Sequence, residues 1–317
     1  MSTGDPGAPL VFLMGPTASG KTELAVRLVD ELPVEIVSVD SAMVYRGLDI
    51  GTAKPDAETL ERAPHHLIDV AEPEEAYSAG RFRTDALAAI ERVRQRGRLP
   101  LLVGGTMLYF RALAEGLGPM PPADANVRAR LEEEMRSRGL RALHAELAGV
   151  DPHAAGRIHP NDPQRIQRAL EVYRLTGRPI SRFQASRRQV LPGRILRVAV
   201  TPFDREVLHA RIEHRFRAML EAGFLEEVAR LMQRPRLAAD APAMRSVGYR
   251  QAWAHLAGDM DRERMFERAV VATRQLAKRQ LTWLRGTADV TWFDSLAEGQ
   301  YRAVRDDFDL GAVKTGM

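Results

Sequence analysis

The chain contains no cysteine. Disulfides and cysteine-ligated zinc sites are therefore excluded, and the composition suits the reducing cytoplasm. Long apolar runs are lacking too. Nothing approaches the roughly 20 residues that cross a bilayer, so no membrane partner is expected. The first apolar run, Leu10 to Met14, is too short for a signal-peptide core and no cleavage site follows it. Acid is missing locally rather than globally. The 317 residues carry a net charge of only +4, yet no Asp or Glu falls between Glu171 and Asp204. That stretch holds Arg174, Arg178, Arg182, Arg187, Arg188, Arg194 and Arg197. A second acid-free stretch holds Arg268, Arg274, Lys278, Arg279 and Arg285. Such local basic fields attract polyanions, although a solvated arginine-rich surface gives the same pattern.

What is present describes a globular protein: 45% hydrophobic and 28% charged residues, in a length that suits one large domain plus a smaller one. Residues 1–8 read as a loose tail. Apolar runs at residues 10–14, 35–39 and 99–103 read as strands, ending respectively in a Gly-rich turn, in Asp40 and in Gly104-Gly105. Helical spacing fills residues 23–32 and 81–96. Strands alternating with helices imply a parallel sheet wound on both faces, with ligands at the carboxyl ends of the strands. Residues 116–123 hold two Gly and three Pro and read as a boundary. Helical patterns follow, with start signals at Asp151-Pro152 and Asn161-Asp162-Pro163, and a strand pattern resumes at residues 195–201. Long helices at 205–222 and 262–285 and a last short strand at 290–293 complete the chain. The expected architecture is thus an α/β domain, residues 9–119 and 193–317, interrupted by an all-helical insertion at 120–192.

Gly15-Pro16-Thr17-Ala18-Ser19-Gly20-Lys21-Thr22 fits the eight-residue phosphate-loop pattern at every fixed position. It follows a strand and opens a helix, the context that pattern needs. Glycines let backbone N–H groups turn around a phosphate, and a helix N-terminus adds positive potential. Lys21 supplies a point charge and the Thr22 hydroxyl a ligand for Mg²⁺. The pattern calls for a diphosphate or triphosphate with Mg²⁺, without specifying ATP; a P-loop NTPase-like, nucleotide-kinase-like fold follows. Asp40, at the end of the second strand, has three readings on position alone: a magnesium-organising acid, a general base, or a helix cap. Adjacent His65-His66 have no spaced third ligand and read as structural.

Longer blocks narrow the choice. Asp40-Ser41-Ala42-Met43-Val44-Tyr45-Arg46-Gly47-Leu48-Asp49-Ile50-Gly51-Thr52-Ala53-Lys54-Pro55 closely resembles the signature of the bacterial tRNA dimethylallyltransferase family. Pro64-His65-His66-Leu67-Ile68-Asp69, Gly104-Gly105-Thr106-Met107-Leu108-Tyr109 and the insertion's Ile158-His159-Pro160-Asn161-Asp162-Pro163-Gln164-Arg165-Ile166-Gln167-Arg168-Ala169-Leu170-Glu171 do so as well. Arg245-Ser246-Val247-Gly248-Tyr249-Arg250-Gln251 and residues 272–285 follow in family order. The resemblance spans about residues 10–293. Met43 departs from it, many relatives having Gln there. The zinc finger of eukaryotic relatives is impossible without cysteine.

The resemblance implies transfer of a dimethylallyl group from dimethylallyl diphosphate to N6 of adenosine 37, beside the anticodon of tRNA. The amine is a poor nucleophile and the departing diphosphate gathers charge, so a base near N6 and cations around the leaving group suit the chemistry. By resemblance Asp40 is the base, Thr106 hydrogen-bonds a diphosphate oxygen, and Arg215 lies near the diphosphate; a helix-surface charge beside Glu213 is the plainer reading of Arg215. The loop from Gly15 to Thr22 holds the diphosphate. Segments implied to contact tRNA are Asp40, Ser41, Ala42 and Met43; Gln164, Arg165, Ile166, Gln167 and Arg168; Arg245, Ser246, Val247, Gly248, Tyr249 and Arg250; and Lys278, Arg279, Gln280, Leu281, Thr282, Trp283, Leu284 and Arg285. Arg128 and Thr106 are added to that set. Arginines serve phosphates and splayed bases, and amides serve base edges. On the last long helix, Phe266, Val270, Ala277, Leu281 and Leu284 share one face, and Arg274, Lys278 and Arg285 another, the latter expected outward. Expected partners are the tRNA anticodon stem-loop and dimethylallyl diphosphate, with a monomeric chain. Two rivals stay open: an ATP-dependent nucleotide kinase and a non-catalytic RNA-binding P-loop protein.

Overall fold

The computed structural model describes residues 9–185, 191 and 193–313. The tail at 1–8, Arg187, Arg188 and Pro192 of the turn expected at 192–193 lie outside the described residues. The described residues divide into two compact units, 9–114 with 191 and 193–313, and 115–185.

The first unit is built on six parallel strands: β1 (Leu10–Met14), β2 (Val34–Val39), β3 (His65–His66), β4 (Leu99–Gly104), β5 (Ile195–Thr201) and β6 (Val290–Asp294), in the order β3-β2-β4-β1-β5-β6. The strands alternate their side chains between two apolar cores. Leu10, Phe12, Met14, Val37, Val39 and Leu102 enter one; Val11, Leu13, Ile36, Leu101, Val103 and Val200 enter the other. A sheet covered on both faces needs apolar residues at every position, which is why β1 and β4 read as unbroken runs.

Helices cover both faces. The core of Val11 and Leu13 takes Leu24 and Leu28 of α1 (Lys21–Glu31), with Ala63 just after α2 (Ala57–Arg62). It also receives Tyr301, Val304 and Phe308 of the last helix, Gln300–Val313. The core of Phe12 and Val39 takes α3 (Ala79–Gln95) and α4 (Met107–Glu115), where Phe82 stacks on Tyr109 at 4.1 Å.

The second unit consists of α5 (Ala125–Arg138), α6 (Leu140–Val150), α7 (Pro152–Ala155), α8 (Pro163–Thr176) and α9 (Ile180–Ala185). Its core gathers Leu131, Leu143, Leu147, Ile166, Leu170 and Phe183. The expected start signals act as caps: Asp151 accepts from Ala154 N–H at 2.9 Å and Asp162 from Arg165 N–H at 3.1 Å, each with Pro in the first helical position.

The chain then returns to the first unit. After β5 come α10 (Arg205–Glu221), α11 (Phe224–Met232), the 3₁₀ turn Ala243–Arg245, α12 (Tyr249–Leu256) and α13 (Arg262–Arg285); Gln300–Val313 is α14. Phe216, Phe224, Tyr249 and Leu284 place α10 to α13 on the Phe12 core. No helix among the described residues is long and apolar enough to cross a membrane.

Candidate active site

The loop 15–22 leaves the carboxyl end of β1 and runs into α1. Ala18 (φ 62) and Gly20 (φ 89) both adopt left-handed backbone. Alternating backbone handedness aims successive N–H groups inward, the concave nest that suits an anion. For alanine this conformation carries strain, and such strain gathers at functional sites. Lys21 Nζ donates to Pro16 O at 3.1 Å, folding the side chain back over the loop. Burial pushes its ammonium down to about 8; the Asp40 carboxylate opposes that shift and Arg215 adds to it.

Lys21 and Thr22 line a cleft of about 640 Å³ that also takes Asp40, Ser41, Thr106 and Arg215. The cleft lies beyond the carboxyl ends of β1, β2 and β4, where parallel sheets bind ligands. Asp40 Oδ1 accepts from Ala42 N–H at 2.8 Å and Met43 N–H at 3.3 Å, an Asx turn. No hydrogen bond among the described residues engages Oδ2. Thr106 Oγ1 accepts from Ser41 N–H at 3.0 Å and donates to Ser41 Oγ at 3.3 Å, tying the ends of β2 and β4 together. Arg215 Nη2 donates to Thr52 O at 3.2 Å. Burial lowers the Arg215 guanidinium from its ordinary value, opposed by Asp40. An acid with one committed oxygen therefore faces two desolvated cations and a hydroxyl.

An oxygen-preferring cation fits the donors present. The Thr22 hydroxyl and the Asp40 carboxylate line the same cleft. Ser19 Oγ, fully buried in the loop, has no protein partner among the described residues. Mg²⁺ is held by one or two protein oxygens with the rest from substrate phosphates and water, so this sparse set suits it. Among the described residues no cluster of three His, Cys, Asp or Glu could hold a metal. His66 Nε2 instead pairs with Glu35 at 2.8 Å, and His65 Nδ1 meets Ala63 O at 2.6 Å.

The remaining expected site residues separate into groups. Arg245, Ser246, Val247, Gly248 and Tyr249 line the cleft, as do Met43, Ala42, Arg279, Gln280 and Trp283. Arg250, Lys278, Thr282 and Arg285 are exposed. Trp283, 43% exposed, sits beneath the Arg111 guanidinium, 5.9 Å away. Leu284 is fully buried, Leu281 packs on the same core, and Tyr249 is fully buried with its hydroxyl on Glu227 at 2.6 Å. These three support the segments that carry them.

In the helical unit, Gln164 and Arg165 are exposed, with Arg165 paired to Asp162 at 2.9 Å. Ile166 is core. Arg168 donates to Glu171 at 2.6 Å and to Pro121 O at 2.6 Å, and Arg128 Nε reaches the same carboxylate at 2.8 Å. Gln167 Nε2 donates to Glu132 at 3.1 Å. Arg128, Gln167 and Arg168 thus brace the unit internally. Arg274 is not on a free outward face: its Nη2 meets Glu213 of α10 at 3.1 Å.

Two structural supports receive no role from the sequence, although Lys54 lies inside the block at residues 40–55. Glu227, 3% exposed, accepts from the N–H groups of Asp49, Ile50 and Gly51 at 3.0, 2.7 and 3.3 Å and so fixes the loop whose Thr52 holds Arg215. Lys54 Nζ donates to Tyr45 O, Asp49 and Asp69 at 2.7, 2.6 and 2.6 Å. Glu227 sits in an ordinary amphipathic helix, and nothing in its spacing announces the distant loop it serves.

The parallel sheet, the nest at the end of β1 and the acid at the end of β2 define an α/β phosphate-loop-type protein whose cleft suits phosphoryl ligands. The family described as IPP transferase matches residues 43–287. A tRNA dimethylallyltransferase from Thioalkalivibrio sulfidiphilus is 62% identical over 278 residues, 87% of each chain, and one from Thiobacillus denitrificans is 59% identical over 290 residues, 92% of this chain and 93% of that one. The structure of a tRNA isopentenylpyrophosphate transferase from Bacillus halodurans superposes with a TM-score of 0.71 at 38% identity, covering 97% of both chains. A eukaryotic dimethylallyltransferase acting on tRNA gives 0.76 at 26% identity, over 96% of this chain and 80% of that one. The chain belongs to the tRNA dimethylallyltransferase (IPP transferase) family.

Proposed function

We propose that this chain transfers the dimethylallyl group of dimethylallyl diphosphate to N6 of adenosine 37, next to the anticodon of tRNA. The observation that carries the reading is the opposition of Asp40 to Lys21, Arg215 and Thr106 in one cleft. The allylic C–O bond breaks, the N6–C bond forms, diphosphate leaves, and the N6 proton passes to Asp40 Oδ2. The Asx turn on Oδ1 fixes the carboxylate plane while leaving Oδ2 to the amine. Lys21 and Arg215, already stripped of much of their water, meet the growing negative charge without solvent reorganisation, which is where such electrostatic help is largest. Thr106 can turn its hydroxyl from Ser41 to a diphosphate oxygen.

Mg²⁺ on Thr22 would neutralise part of the diphosphate charge. An adenine reached in a single-stranded loop must be drawn from its stack, at a cost of a few kcal/mol; exposed Trp283, Arg245 and Arg279 around the cleft suit a splayed base and its phosphates. The partners are then the anticodon stem-loop and the prenyl diphosphate, for a monomer in the cytoplasm. Purified protein with tRNA and dimethylallyl diphosphate, followed by mass spectrometry of the nucleosides, should yield prenylated adenosine. ATP in place of the prenyl donor should leave tRNA unchanged; ATP turnover with no prenyl transfer would make the chain a kinase instead.

A further inference from the structure

Helix α13 places Gln280 between Arg279 and Leu281, and its amide is turned into the protein. Oε1 accepts from Thr17 N–H at 3.0 Å, and Nε2 donates to Gly105 O at 2.8 Å. Both partners are backbone groups, in two loops at the carboxyl ends of β1 and β4. A planar amide offers an acceptor and a donor on one end, so it alone among neutral side chains of this length serves both. Gly105 leaves the room: a Cβ there would collide with Gln280 Nε2.

The contacts continue into the chemistry. Thr106 follows Gly105, Thr106 Oγ1 holds Ser41, and Ser41 follows Asp40. Thr17 is two residues from Ser19 and four from Lys21. One side chain thus bridges the loop that faces the diphosphate and the turn that flanks the base. Because Thr17 N–H is committed to Gln280, the nest presents only its later amides to a phosphate.

We propose that Gln280 is a positioning residue that fixes the spacing between the phosphate loop and the Thr106 turn, holding the leaving diphosphate and Asp40 in register. The inference rests on the prenyl-transfer reading above. It separates Gln280 from its neighbours: the amide is spent on the protein, whereas exposed Lys278 and Arg279 remain for RNA. Displacing reacting groups by about 1 Å can cost on the order of 100-fold in rate, so a clamp of two hydrogen bonds between loops has leverage beyond its own strength.

Gln280→Ala should lower kcat about 10- to 100-fold at saturating tRNA and weaken inorganic diphosphate binding, while tRNA affinity stays within about twofold. Gln280→Glu supplies a sharper readout. Its ionised carboxylate keeps the acceptor for Thr17 N–H but sets a second acceptor against Gly105 O. Protonation restores a donor there. Its kcat relative to wild type should therefore be low at pH 8 and recover as pH falls. Lys21, Asp40, Arg215 and Arg279 line the cleft of the wild-type protein, and comparison with wild type at each pH separates the effect of the substituted side chain from the profile the cleft already has. A general packing defect would give no recovery, and that outcome overturns the proposal. So does a loss of tRNA affinity with kcat unchanged, which would make Gln280 an RNA contact. If Gln280→Ala fails to fold, the pH ratio of Gln280→Glu decides. If wild type transfers no prenyl group, the functional reading fails, and the diphosphate affinities of wild type and variants still judge the clamp.

Discussion

Asp40 has two oxygens in two environments, and that division makes its role separable. Oδ1 caps the turn through Ala42 and Met43, and Oδ2 is left to the cleft. Asparagine forms the same turn but cannot accept a proton. Asp40→Asn should therefore keep binding of tRNA and dimethylallyl diphosphate while turnover falls roughly 100-fold or more. Unchanged turnover in single-turnover assays would reduce Asp40 to a cap. Lys21 gives a pH signature. Its pKa is lowered to about 8 in the free protein, and a bound diphosphate favours the charged form. Affinity for the prenyl diphosphate should be flat below pH 8 and weaken above it, by up to tenfold per pH unit. The sign for stability is opposite: a lysine depressed from its unfolded value near 10.5 costs the free protein stability at neutral pH, and that cost fades as pH rises through 8. Diphosphate should thus raise the melting temperature most below pH 8. Lys21→Arg keeps its charge throughout; an identical fall in affinity above pH 8 in that variant would exclude Lys21 as the cause.

At the scale of elements, α8 separates two arginines that its sequence presents as equals. Arg165 is exposed beside Asp162; Arg168 is folded onto Glu171, whose side chain is fully buried, and onto Pro121 O. Arg165→Glu should weaken tRNA binding and reduce its salt slope by about one unit, at little cost in stability. Arg168→Glu should instead destabilise the helical unit by on the order of 3–5 kcal/mol, because it leaves a buried carboxylate short of a partner and adds a like charge. Urea unfolding with filter binding checks both, and a fully stable Arg168→Glu protein with lost tRNA affinity would reverse the assignment. The same helix shows what the sequence can reveal. Asp162-Pro163 announces where α8 starts because capping is local. The burial of Glu171 is not announced, since it depends on Arg128 more than 40 residues away. Likewise β1, β2 and β4 are legible as apolar runs ending in Gly or Asp, and with them the loop 15–22 and Asp40. The two-residue strand β3, the inward turn of Gln280 and the pairing of Arg274 with Glu213 are not, because each is decided by a neighbour distant in the chain.

The molecule as a whole is a sheet domain interrupted once. The interruption starts after Ala114 and ends before Leu191, and the two points meet: Leu191 N–H donates to Ala114 O at 3.4 Å. Strands β4 and β5, on either side of the interruption, both pair with β1, so the sheet is completed by long-range contacts that do not pass through the helical unit. The helical unit has its own core around Leu131, Leu147 and Leu170. A short linker can therefore replace residues 115–190 at small entropic cost, since loop closure changes by only about 0.6 kcal/mol per doubling of length. The shortened protein should fold cooperatively and bind inorganic diphosphate in a Lys21-dependent way, because the loop 15–22, Asp40, Thr106 and Arg215 all belong to the first unit. It loses Gln164 and Arg165 while keeping Arg245, Lys278 and Arg279. Its tRNA affinity should drop about tenfold or more, with a shallower salt dependence, as expected when phosphate contacts are removed but others remain. Calorimetry with and without diphosphate tests the first half, and filter binding across salt concentrations tests the second. A shortened chain that cannot fold would make the helical unit part of the catalytic scaffold. A folded one with wild-type tRNA affinity would leave that unit without a role in holding RNA.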